Sequence, residues 1–197
     1  SCVEAMKASA GKIPVTVKSR IGVDDQNPEE VLPEFITKVA SSGCSVFIIH
    51  ARKALLGGLS PKDNRIIPPL QYPLVYEMQN KFPELDIILN GGLTELKDIK
   101  SVLQNPLSGV MIGREAYENP SILLKVDNEI FDQKEKIRSM KDAIRNMIEY
   151  CNREQAEGTA IKGILKHLKG AFKGRANSKE FKRVLFCNET TDSERLE

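Results

Sequence analysis

VFIIHAR at 46–52 is the stretch whose reading decides the fold: a short apolar run stops at a polar, cationic end. The same design recurs at VTVKSR (15–20), IILNGG (87–92) and GVMIGR (109–114), each run stopping at a polar or glycine-rich cluster with a helical pattern after it. Strands alternating with helices in this way predict a parallel α/β fold. In a parallel (β/α) barrel, catalytic and binding groups sit where strands end and the next loop begins. Those positions here hold Lys18, His50, Arg52, Asn90, Gly91, Gly92, Gly113 and Arg114. They are cations and bare main-chain amides, the groups that a bound phosphate and an electron-rich ring require.

Only four such units precede a wholly helical stretch, whereas a closed barrel of this type needs eight. The chain also opens on SCVEAMKASAGK, without an initiator Met and with Val3, Met6 and Ala10 at helical spacing. The expectation is the C-terminal half of a (β/α)8 TIM barrel over residues 1–132, then a small all-helical domain over 133–197, both part of a longer protein.

Net charge is +2, so total charge says little about partners. Its distribution says more: between Ala160 and Phe186 eight Lys or Arg face a single acid, Glu180. Lys162, Lys166, Lys169 and Lys173 recur at spacings of three and four, which on a helix gathers them into a cationic stripe. Such a stripe is the footprint of a phosphate backbone; the alternative is a solvated face. Cys2, Cys44, Cys151 and Cys187 are scattered without CxxC spacing, which speaks against a zinc site or fixed disulfides and for a reducing compartment. Cys2 and Cys44 read as packing residues. No apolar run approaches membrane-spanning length.

Parity sharpens the strand ends. If Val15 and Val17 face the helical layer, Lys18 points to the barrel interior. A helix is expected over 29–42 with Val31, Leu32, Phe35, Ile36 and Val39 buried and Gly43 as its stop, and others over 73–82, 94–104 (capped by Thr94) and 120–131. Beyond them, Ile137 to Cys151 and Ile161 to Phe172 read as amphipathic helices, with a short third one at Phe181–Leu185. The segment between the strand at 45–50 and the helix at 73 is long for a loop, and Arg52, Lys53, Lys62 and Arg65 in it favour function. NGG and GR read as an anion-binding nest or, alternatively, as plain turns. Taken alone, His50 reads more readily as a satisfied core histidine, and Arg20 as a structural ion-pair partner.

VTVKSRIGVDD, FIIHARKALLGGLSPKDNR, ILNGGL and GVMIGREAYENP together resemble tRNA-dihydrouridine synthases, most specifically the A type. The resemblance runs from residue 1 through Arg183. It implies an oxidoreductase that uses FMN, reduced by NADPH, to convert uridine to 5,6-dihydrouridine in the tRNA D-loop. It implies flavin-ring contacts at Lys18 and His50, and a phosphate site at Asn90, Gly91, Gly92, Gly113 and Arg114. It implies tRNA contacts at Lys62 and Arg65, and their neighbours Arg52 and Lys53 are assigned to the substrate with them; in the helical module Lys179 and Lys182 are assigned to tRNA, where the resemblance leads one to expect arginines. The proton-donating cysteine of the family lies in an Asn-x-Gly-Cys-Pro segment expected upstream of Ser1, so no catalytic residue is assigned in this chain and the chain alone is expected to be inactive. A cytoplasmic, monomeric full-length enzyme is expected, with an organellar one as the variant. The alternatives are an FMN-barrel oxidoreductase acting on a small molecule, and a non-catalytic RNA-binding remnant.

Overall fold

The apolar alternation in VFIIH and DIILN gives a sheet two unlike faces. In the computed structural model, which describes residues 1–134 and 139–186, the strands are β1 (Thr16–Arg20), β2 (Val46–His50), β3 (Asp86–Asn90) and β4 (Gly109–Met111). They pair in parallel in the order β1-β2-β3-β4. The register sets Arg20, His50, Asn90 and Met111 side by side at the strand ends. Side chains alternate along a strand, so Phe47, Ile49, Ile87 and Leu89 share one face, and all four are fully buried. Lys18, Arg20, His50 and Asn90 share the other with Ile48 and Ile88, the parity expected for Lys18.

Before β1 runs α1 (Cys2–Ala10), and between successive strands run α2 (Pro28–Ser41), α3 (Tyr72–Lys81) and α4 (Leu96–Leu103). A capping box formed by Ser1 and Glu4 starts α1, and Asn27 caps α2 by accepting from the Glu29 N–H. α3 packs on β3 through Leu74, Val75 and Met78, and α4 on β4 through Ile99 and Val102. Gln79 closes the gap beneath: its amide donates to the Leu85 carbonyl and accepts from the Ile87 N–H.

Several local expectations shift. Phe35 is 38% exposed, because α2 buries only Leu32, Pro33 and Ile36. Thr94 does not cap α4; Glu95 occupies that position without a side-chain bond. Helix α2 ends at Ser42 as its cap, and Gly43 follows at φ +91°. Cys2 is exposed instead of packed, whereas Cys44 is buried with its Sγ near the Val46 carbonyl.

The chain divides into two compact units, Ser1–Gly113 and Arg114–Glu197. That division falls earlier than the one read from composition at 132, for a packing reason. Leu124 lies against a core of Met140, Ile144, Cys151, Ile161, Leu165, Ala171 and Leu185, and Gly170 presses on the carbonyl of Glu118. The described elements of the second unit are α5 (Arg114–Glu118), a 3-10 turn at Pro120–Lys125, α6 (Val126–Glu129), α7 (Met140–Ala156), α8 (Lys162–Leu165), a 3-10 turn at Lys166–Leu168 and α9 (Ser178–Leu185). The stretch 161–172 is thus no continuous helix, and its lysines do not form a regular α-helical stripe. Ile137, Cys187 and the tail from 188 lie outside the described residues. No helix among the described residues is long and apolar enough to cross a membrane.

Candidate functional site

Three parallel strands in one register bring Lys18, Arg20, His50 and Asn90 to a single face at one end of the sheet. The Lys18 ammonium is held below the ordinary lysine range, by partial burial and then by the nearby charge of Arg20. Asn90 is buried, and its amide donates to the Met111 carbonyl at 2.8 Å, tying the ends of β3 and β4 together.

The turn after β3 is shaped by its glycines. Gly91 has φ +118° and Gly92 φ +74°, which L side chains rarely adopt. A Cβ on Gly91 would sit 2.9 Å from the His50 ring, and one on Gly92 would sit 2.6 Å from Leu70. Both glycines are therefore required by the chain's own packing. Gly92 is nonetheless exposed, so its main chain can be approached from outside. Gly113 differs: it is exposed, its φ is not positive, and a Cβ there would meet nothing within 4 Å. Arg114, the next residue, opens α5 and is exposed.

The long segment after β2 is ordered by its neighbour, the loop after β1. Ala54 pairs with Val23, the Asp24 N–H donates to the Ala54 carbonyl, and the Leu56 N–H donates to the Asp24 carboxylate. Arg20 donates to the carbonyls of Lys53 and Asn64, each at 2.8 Å. Its role is structural, as expected, but its partners are main-chain oxygens instead of a carboxylate. Burial lowers its pKa first, and the charges of Arg52 and Arg65 lower it further, which marks three guanidinium groups gathered at this end. Arg52 is half-buried and its guanidinium donates to the Pro68 carbonyl, a structural bond for a residue expected to face RNA. Lys62 and Arg65 are exposed and Lys53 half-buried.

The profile of the dihydrouridine synthase (Dus) family matches residues 1–197, the whole sequence. The chain belongs to this family. Among its curated relatives, the tRNA-dihydrouridine(20/20a) synthase of Escherichia coli K12 is 48% identical over 95% of this chain and 54% of its own length. The enzymes of that name from Vibrio cholerae and Pasteurella multocida are 47% and 44% identical, each over 95% of this chain and 57% of their own length. The chain therefore spans a little over half the length of the relatives it matches.

In the second unit, Lys162, Lys166, Lys169, Lys173 and Lys179 are exposed and Lys182 half-buried. Lys173 is committed in part, lying 3.6 Å from Glu115 and 3.5 Å from Glu118. Three residues near the strand ends escaped the sequence reading. Asn64 bonds both main-chain groups of Leu55, Leu70 backs the glycine turn, and the Tyr72 hydroxyl donates to the Gly91 carbonyl. The available signal was Tyr72 itself, a tyrosine at the edge of an apolar helix, whose hydroxyl must find a partner when buried.

Proposed function

We propose that this chain is part of a tRNA-dihydrouridine synthase that reduces uridine to 5,6-dihydrouridine in the D-loop of tRNA, with FMN as bound cofactor and NADPH as reductant. The positions named for its relatives, 20 and 20a, are the substrate sites we assign. In this reading residues 1–132 are the C-terminal half of a (β/α)8 barrel, 133–197 a tRNA-binding module, and the full-length protein a cytoplasmic monomer. The observation that carries the proposal is the set of Lys18, His50 and Asn90 on one sheet face, with the positive-φ glycine turn directly after Asn90.

The donor set fits a flavin mononucleotide. Lys18 and His50 are the groups that would meet the ring, and Lys18 supplies positive charge where electrons accumulate. The exposed main chain of Gly92, and Gly113 with open space where a side chain would sit, are the surfaces that would accept the phosphate. Asn90 supports that surface through its bond to Met111. Bound FMN would supply the two-electron reduction of the uracil C5–C6 bond. The chain's own residues bind, orient and screen. Lys53, Lys62 and Arg65 would hold the displaced RNA backbone where the target base leaves its stack, while Arg52 braces their loop. Lys179 and Lys182 would grip tRNA elsewhere, as point charges without the bidentate fork of arginine. The sequence contains no Asn-x-Gly-Cys-Pro segment, and no proton donor is assigned here.

The test is flavin content and dihydrouridine formation in the full-length protein. Lys18→Ala and Arg114→Ala should each loosen FMN by about tenfold or more, the worth of one charge-assisted bond. Equal FMN content in wild type and both variants would rule the assignment out.

A further inference from the structure

We infer that Tyr72 is a positioning residue for the glycine turn: by holding the Gly91 carbonyl inward it aims the Gly92 N–H outward, at the phosphate. The inference rests on the proposed function and names a residue that the strand ends alone do not reveal. Its geometry is simple. The hydroxyl of Tyr72 donates to the Gly91 carbonyl oxygen at 2.5 Å. In a planar trans peptide the C=O of one residue and the N–H of the next point in opposite directions. Anchoring the Gly91 oxygen therefore fixes the direction of the Gly92 N–H. Glycines at φ +118° and +74° have no side chain to restrict them, so without an external hold this peptide plane has several accessible orientations. Gly92 is exposed, so the donor aimed this way can reach a ligand.

The hold is itself firmly seated. The Gln71 N–H donates to the Ala51 carbonyl at 2.8 Å, and Arg52 bonds the Pro68 carbonyl, so the residues before Tyr72 are pinned to the end of β2. The hydroxyl also lies 3.1 Å from where a Cβ on Gly92 would stand, so it borders the second half of the turn as well. Burial, and next the neighbouring Tyr76, raise the Tyr72 pKa above the ordinary tyrosine value, which keeps the proton it donates.

The experiment uses full-length protein stripped of flavin and titrated with FMN and with riboflavin, which lacks the phosphate. Tyr72→Phe keeps the ring's volume and removes only the hydroxyl. We expect it to weaken FMN by about tenfold, the effect of one lost buried hydrogen bond, and to leave riboflavin unchanged. An unchanged FMN-to-riboflavin ratio, even with a lower melting temperature, would overturn the role of Tyr72 and leave it a packing residue. Gly92→Ala separates this failure from failure of the site. If wild type does not distinguish FMN from riboflavin, or Gly92→Ala keeps the wild-type ratio, the phosphate site is elsewhere whatever Tyr72→Phe does. In wild-type protein the Gly92 amide resonance should shift with FMN and with inorganic phosphate but not with riboflavin. An amide that ignores phosphate would overturn the proposal without any variant.

Discussion

The two units solve different problems with the same kinds of residue. In Ser1–Gly113, strand register fixes where each polar group stands: Lys18, His50 and Asn90 are placed by ladders of main-chain bonds and by a core of Phe47, Ile49, Ile87 and Leu89. In the second unit the cations ride on short helices and 3-10 turns around a core of Met140, Ile144, Leu165 and Leu185, and most of them point into solvent. The first arrangement suits a small ligand that must be held at atomic precision. The second suits a long polyanion, for which summed charge matters more than angle. Registered strands make a site; loosely held charges make a grip.

The sharpest way to break this contrast is to make the 197-residue chain alone. β1 and β4 each pair on one side only, and open strand edges recruit other chains. Gel filtration should find dimers or aggregates with weak FMN binding and no uridine reduction; a well-behaved, active monomer would contradict both the edge argument and the expected upstream proton donor. Next in size, Phe47→Ala should cost the sheet unit about 3–5 kcal/mol in denaturant unfolding of the full-length protein.

The glycines sharpen the contrast further. An added Cβ at Gly170 would lie 2.5 Å from the Glu118 carbonyl oxygen, so Gly170→Ala should destabilise the helical unit by about 1–3 kcal/mol. At Gly113 there is open space, so Gly113→Ala should leave the melting temperature alone while weakening FMN. If it leaves FMN binding unmoved too, Gly113 is no part of the site.

Charge reversal at Lys162, Lys166 or Lys169 should flatten the salt dependence of tRNA binding by about 0.7–0.9 in slope per lost phosphate contact, with NADPH-driven flavin reduction intact. Lys173 should contribute less, because Glu115 and Glu118 already share its charge. Slopes that ignore all four would mean that the helical unit is not a grip. The smallest effect concerns Cys151, whose pKa burial raises. A raised folded value means that its stabilising contribution is full below the ordinary thiol value of 9.0 and fades as pH climbs through the raised one. Cys151→Ala should therefore lessen the alkaline softening of the helical unit, followed by circular dichroism.

What the sequence disclosed follows the same divide. Period-two alternation ending in polar residues located the strands within a residue or two and chose the correct face for Lys18, because burial on one side leaves little freedom of register. The helical unit was less legible. Leu124 and Glu118 pack onto residues distant in sequence, which no local pattern reports. The lysine spacing implied a helix that in fact passes into a 3-10 turn at Lys166–Leu168 and stops before Gly170, a residue that disfavours helix interiors. Arg52 looked like a surface cation because its partner, the Pro68 carbonyl, is a main-chain atom, and such acceptors leave no mark in a sequence. The same reason hid Tyr72.

Arg20 reaches both ends of the loop that follows β2, holding Lys53 at one side and Asn64 at the other. Between those two posts the segment hangs largely from main-chain bonds, with the Ser60–Asp63 side-chain pair as the exception. Leu56 and Gly57 at the tip are exposed and could be exchanged for other residues without disturbing the strands, whereas Gly58, at φ +79°, favours glycine. The loop then behaves as a replaceable cassette. On the proposed function, swapping residues 56–62 between relatives should change which RNA is engaged and leave flavin content unchanged.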